Sequence, residues 1–339
     1  MSEPPREPGV EPPAPLSGGP EEPSDASARF QDQVRAARAD LESHVAHARA
    51  EFDQANARIK ERTGRDLILA ILIGVAIGAI VVASLMFSSW PFALFALGAT
   101  LLGVFEFSRA LQAAGRRVDA IPQLIGAALI LAAAYLLDGW LHWVSVIVAV
   151  ALVAVWRLLS QMTARDGRAY AAVLDDVLVG GFIPIYVPFL ASFALLLLRR
   201  PDGEWWVLAF LVIVVSADTA AYGTGLLLGR HKMAPHVSPG KTWEGLSGAA
   251  VAALGGGALL AWLMLGLPWW AGLVLGAAVF ATATLGDLGE SLIKRDLRIK
   301  DMSSWLPGHG GVLDRLDSIL PSAATALALS YLLAPWASR

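Results

Sequence analysis

Residues Ser291–Ser318 read SLIKRDLRIKDMSSWLPGHGGVLDRLDS, a charged segment set between two long apolar runs. Asp287 lies just upstream, inside the preceding run, and Asp314 and Asp317 open the following one. A carboxylate at the end of a membrane helix is costly unless something compensates it, so such residues default to a functional reading. Between the acids lie Lys294, Arg295, Arg298 and Lys300, then His309-Gly310-Gly311, where the glycines let backbone N–H groups approach a ligand closely. Carboxylates for a metal, cations for phosphate and a glycine pair together point to phosphate chemistry at a membrane surface.

Composition agrees with a membrane setting. Of 339 residues, 56% are hydrophobic and only 16% charged, with a mean hydropathy of +0.57, whereas a soluble chain carries about a quarter charged residues. The formal net charge of -3 says little, because the acidic residues of the N-terminal segment dilute the basic loops. Cysteine is absent, which excludes disulfides, thiolate metal sites and cysteine nucleophiles. Twelve tryptophans, some paired as in Trp205-Trp206 and Trp269-Trp270, suit interfacial belts.

Three segments are expected. Residues 1–26 are rich in Pro, Glu, Gly and Ser, too polar to bury a core, and read as a disordered tail. They lack the basic start, short apolar run and cleavage site of a signal peptide. Over 27–65 a stripe of Phe30, Val34, Ala37, Leu41, Val45, Ala48, Phe52, Ala55 and Ile59 predicts an amphipathic cytoplasmic helix, with Gly64 as its stop. Its many alanines favour a solvated linker helix over a coiled coil. Residues 66–339 form the expected transmembrane catalytic domain.

Roughly 20 apolar residues cross a bilayer as a helix, and about nine runs meet that criterion. They are Leu67–Phe87, Pro91–Phe107, Ile121–Leu137, Trp140–Leu159, Val173–Leu198, Trp205–Leu228, Ser247–Leu267, Trp269–Leu288 and Ile319–Ala334. The fold class expected is therefore all-α, a polytopic helical membrane protein. Pro184 and Pro188 make the fifth run one long broken helix. Arg58, Lys60, Arg62 and Arg65 precede the first run, which predicts a cytoplasmic N-terminus. Basic residues then follow the second, fourth, sixth and eighth runs, including Arg109, Arg116, Arg117, Arg157, Arg165, Arg168, Arg230 and Lys232. Arg199-Arg200 is the exception, partly offset by Asp202 and Glu204. Both charged blocks fall on the predicted cytoplasmic side.

The first block, Ser216–Gly245, reads SADTAAYGTGLLLGRHKMAPHVSPGKTWEG. Tyr222, Gly225 and Gly229 recur near one-turn spacing, which favours close helix packing over ligand contact. Asp218 inside an apolar helix costs about 2.5–3.5 kcal/mol unless a cation such as Lys241, Arg230 or a metal meets it. Ser238-Pro239-Gly240-Lys241-Thr242 gathers ammonium, hydroxyl and backbone N–H in one small region, suited to a triphosphate, but it lacks the glycine spacing of a Walker loop. In the second block Asp287, Glu290, Ser291 and Lys294 lie at i, i+3, i+4 and i+7 on one helix face. Asp314, Asp317 and Ser318 repeat the arrangement. Carboxylates projected from two helices across a loop can hold Mg²⁺, which takes few protein ligands and completes its shell with water and substrate phosphate. The ordinary readings are a salt bridge from Arg315, solvated loop charges and a packing role for His309; their joint occurrence is what argues for chemistry.

The string Ser291-Leu-Ile-Lys294-Arg295, four residues, Lys300-Asp301, then Leu306-Pro307-Gly308-His309-Gly310-Gly311-Val312-Leu313-Asp314-Arg315-Leu316-Asp317 resembles the signature of the phosphatidate cytidylyltransferases, or CDP-diacylglycerol synthases. The first block resembles that family too, through Asp218, Ala221-Tyr222, Gly229-Arg230, Ser238-Pro239, Lys241-Thr242 and Glu244-Gly245. The resemblance runs from about Asp66 to the C-terminus. It implies transfer of CMP from CTP to phosphatidate with release of pyrophosphate, dependence on Mg²⁺, a cell-membrane location with the site facing the cytoplasm, and a homodimer. Carried onto this chain, it makes Asp287, Asp314, Lys294 and Asp218 catalytic, with Asp287, Asp314 and Asp317 on the metal. Ser238, Lys241, Thr242, Ser291, Arg295, His309, Gly310 and Arg315 would bind substrate; no nucleic acid is expected. A CTP-dependent lipid kinase and an ion-coupled transporter are the rivals, the second disfavoured because no repeat relates the two halves.

Overall fold

In the computed structural model the described residues are 67–164, 167–303 and 310–337, together with Arg35 and Arg38, both helical and exposed. The rest of the expected tail and of the 27–65 helix, and also Arg165 and His309, lie outside them. The chain divides into two units, Met1–Arg65 and Asp66–Arg339, and every element below belongs to the second.

Apolar runs fold as predicted into helices: α1 Leu67–Phe87, α2 Ser89–Ala113, α3 Ala120–Leu136, α4 Gly139–Thr163, α5 Tyr170–Pro184, α6 Leu190–Leu198, α7 Gly203–Leu228, α8 Trp243–Leu263, α9 Trp269–Asp296, α10 Leu313–Leu316 and α11 Ile319–Leu332. Among the described residues, six stretches are long and apolar enough to cross a membrane: α2, α4, the continuous Tyr170–Leu198, α7, α8 and α9. Leu72–Phe87 and α3 are apolar but shorter, and α11 has 14 residues. The architecture is thus that of a helical membrane protein.

The fifth run is one helix bent at its prolines. Pro184 and Pro188 cannot donate the backbone bonds that continue a helix, and the chain between them widens into a π turn over Ile185–Phe189 before α6 resumes. Glycines set the closest helix contact. A Cβ at Gly257 would lie 2.4 Å from the Gly272 carbonyl, and one at Gly276 would lie 2.3 Å from that of Ala253, so α8 and α9 touch backbone to backbone.

Beside the helices stands one short pair of strands. The loop after α7 forms an antiparallel hairpin, β1 Lys232–Ala234 with β2 Ser238–Thr242, pairing Lys232 with Thr242 and Ala234 with Ser238. Prolines and glycine forbid a helix there, and the hairpin instead satisfies backbone groups at the bundle's end. Glu244 closes it, accepting the backbone N–H groups of Arg230 and His231, with the His231 ring 2.6 Å away. Another ion network draws α4, α5 and the α2–α3 connection together: buried Asp176 accepts from Arg157 at 2.8 Å, Arg168 at 2.9 Å and the Arg117 N–H at 3.1 Å.

Candidate active site

α9 has 28 residues and rises about 42 Å, more than the roughly 30 Å of hydrocarbon in a bilayer. Its last turns carry the charged residues Asp287 to Asp296. α7 ends at the same face of the bundle, and the hairpin that follows reaches across: the Arg295 guanidinium donates to the Val237 carbonyl at 3.0 Å. The two blocks, some 50 residues apart in sequence by the spacing of Lys241 and Asp287, thereby share one site.

Lys241 of the hairpin meets Asp287 of α9 at 2.5 Å, both half-buried. Two turns further along α9, Lys294 sits between two acids, 3.0 Å from Glu290 and 3.0 Å from Asp314. Asp317 is buried between these pairs, its carboxyl hydrogen-bonded with that of Glu290 and electrostatically close to Asp287. Burial, and next the charge of Asp287, hold the Asp317 carboxyl above the ordinary carboxylate range. Asp218 of α7 is exposed, shares a hydrogen bond with the Ser318 side chain, and lies within electrostatic reach of Asp317, Asp287 and Lys241. The result is an accessible rim of Asp218, Lys241 and Asp287 above a buried floor of Glu290, Asp317, Lys294 and Asp314.

Gly286 makes the convergence possible. A Cβ there would stand 2.2 Å from the Asp317 carbonyl, so only glycine lets α9 approach the turn before α11. The loop's own glycines approach Asp314 closely. Gly310 adopts φ +83° with its Cα against Asp314, where a Cβ would be 2.8 Å from Oδ2. The Gly311 N–H donates to Asp314 at 2.7 Å, and the Met302 N–H donates to the same carboxylate at 3.0 Å. Asp314 thus ties both ends of the loop to Lys294.

The remaining predicted residues are more scattered. Thr242 is buried as the N-cap of α8, its hydroxyl accepting the Gly245 N–H at 3.1 Å. Ser238 starts β2, Ser291 is buried on α9, and Arg315 is exposed on α10. Sequence reasoning left Glu290 off the site and missed Glu106 of α2, which is buried and accepts the Leu313 N–H at 2.9 Å. Glu290 shares the helix face of Asp287, and Glu106 is an acid inside the apolar run Pro91–Phe107; each was an available signal. Among the described residues no three His, Asp or Glu side chains close on a common point. A cation would need ligands from elsewhere.

Similarity to known proteins narrows the chemistry. Residues 68–333 match the model of the cytidylyltransferase family. The chain belongs to that family. It is 38% identical over 272 residues to a protein of Mycobacterium bovis named phosphatidate cytidylyltransferase, covering 78% of this chain and 88% of that one. A Mycobacterium leprae protein of the same name is 39% identical over 288 residues, covering 80% and 90%. One from Brucella suis is 32% identical over 260 residues, covering 75% and 89%. All three alignments are long enough to take in both blocks of a family member's site.

Proposed function

We propose that this chain is a phosphatidate cytidylyltransferase: it transfers CMP from CTP to phosphatidate, giving CDP-diacylglycerol and pyrophosphate. The observation that carries the reading is the meeting of the hairpin's Lys241 with Asp287, beside Lys294, Asp314 and Asp317, in a chain whose relatives bear that name over most of their length.

The nucleophile is a phosphate oxygen of phosphatidate, ionised at neutral pH, so the site has no need of a strong general base. Alignment and cancellation of negative charge then carry the catalysis as oxygen attacks the α-phosphorus of CTP and pyrophosphate leaves. Lys241, Arg295 and Arg315 would hold the nucleotide and head-group phosphates, and Ser238, Thr242, Ser291 and Gly310 are proposed to contact substrate; His309, proposed with them, lies outside the described residues. Lys294, fixed between Glu290 and Asp314, keeps the buried acids from repelling one another.

The residues fit a divalent cation. Glu290 Oε1 is buried and accepts no hydrogen bond, and the buried Asp317 beside it is costly to ionise without a nearby positive charge. Asp287 and Asp317 would hold Mg²⁺ together with substrate phosphates and water, with Asp314 and Asp218 supporting them. When bound, Mg²⁺ supplies charge neutralisation between nucleotide and lipid phosphates. Asp218, exposed on a membrane helix, marks the side from which a lipid head group reaches the rim. Nine spans with a cytoplasmic N-terminus complete the reading: they put both blocks at the inner leaflet of the cell membrane, where CTP is. A homodimer follows from the family resemblance.

The test is direct. Purified protein incubated with phosphatidate, CTP and Mg²⁺ should yield CDP-diacylglycerol and pyrophosphate, both identified by mass spectrometry. Chelation should stop the reaction and added Mg²⁺ restore it. CDP with a phosphorylated lipid, or turnover indifferent to chelator, would replace this reading.

A further inference from the structure

The loop between α9 and α10 is held from a third direction. Glu106 of α2 is 2% exposed. It accepts the Ser303 hydroxyl at 2.6 Å and the Leu313 N–H at 2.9 Å, from residues 197 and 207 positions downstream. Gly311 presses its Cα against the same carboxylate, where a Cβ would be 2.7 Å from Oε2. Ser303 and Leu313 both lie within the signature, ten residues apart, so one side chain receives two separate points of the loop. Packing alone does not fix the first point, because a cavity of about 280 Å³ lined by Phe105, Glu106, Arg109, Met302 and Ser303 lies beside it. Burying a carboxylate is costly, and removing its charge from donors aimed at it forfeits charge-assisted bonds.

We propose that Glu106 is a positioning residue for cytidylyl transfer, acting without contact to substrate. It clamps the two points of the loop so that Asp314, and through it Lys294, keep their place against the floor of the site. The inference rests on the proposed function for its catalytic consequence, while the clamp itself is testable without activity.

Glu106→Gln keeps size and one acceptor but turns an amide N–H₂ toward the other donor, releasing one of the two points. In detergent-purified full-length protein, hydrogen exchange should quicken in peptides spanning 303–313 and stay unchanged in peptides of α4 and α8. kcat/KM for CTP should fall about tenfold or more, and Glu106→Asp should recover part of it. Ser303→Ala frees the first point only, and combining it with Glu106→Gln should cost less than the two single losses multiplied. Wild-type exchange in 303–313, or exchange quickened equally throughout the bundle, overturns the proposal; so does an unchanged kcat/KM in an enzyme active as wild type. Should Glu106→Gln not fold, Ser303→Ala alone carries the same exchange and kinetic comparison. A wild-type protein without transferase activity would sink the proposed function and the catalytic consequence, leaving exchange to decide whether the clamp exists.

Discussion

Asp287 and Asp314 look alike in the sequence, both acids at a membrane helix end, yet their surroundings separate them. Asp287 is half-buried and pairs with Lys241, whereas Asp314 accepts from Lys294 and two backbone N–H groups. Asp287→Asn should therefore abolish turnover and leave the thermal midpoint nearly unchanged. Asp314→Asn should abolish turnover and also cost stability, about 1–3 kcal/mol for the donors it strands. Equal midpoints for the two variants in a detergent melt would erase that division. Asp218, Asp287 and Lys294 were legible because charge inside apolar sequence is rare and expensive. Glycine at position 310 signalled a close approach, and one such approach in the structure is to the protein's own Asp314.

At the scale of elements, the site depends on how near α9 comes to the turn before α11. Gly286→Ala would force a Cβ to within 2.2 Å of the Asp317 carbonyl, a strain of about 1–3 kcal/mol, and should spread Asp287 from Asp317 with a loss of activity. Gly289→Ala, on the next turn with open space around it, should be nearly silent. Thermal melts and initial rates on the pair test the contact; similar behaviour of both would contradict it. The helices were readable from apolar length, and the bend at Ile185–Phe189 from its two prolines. The hairpin was not, because SPGKT shows no alternation of apolar and polar residues and pairs mainly through its backbone. Glu106 stood out as an acid in an apolar run, but its partners come from the far end of the chain and no local pattern names them.

For the molecule as a whole, helices that alternate in direction bring every polar cluster discussed above to one end, while Asp202 lies at the other end of α7. The chain has no cysteine, so single cysteines introduced at exposed Lys232, Lys300 and Asp202 report sidedness without background. In sealed right-side-out vesicles, a membrane-impermeant maleimide should label the variant at 202 at once and those at 232 and 300 only after permeabilisation. Labelling of all three from outside would refute the proposed topology.

The central claim, that this cluster of carboxylates and lysines joins nucleotide to lipid, is tested most directly by following labelled CTP in the wild type and in folded Asp287→Asn. With phosphatidate and Mg²⁺, wild-type protein should place the α-phosphorus label in the lipid and the γ label in pyrophosphate, and Asp287→Asn should do neither. A γ label in the lipid, or Asp287→Asn turning over at the wild-type rate, would contradict the account.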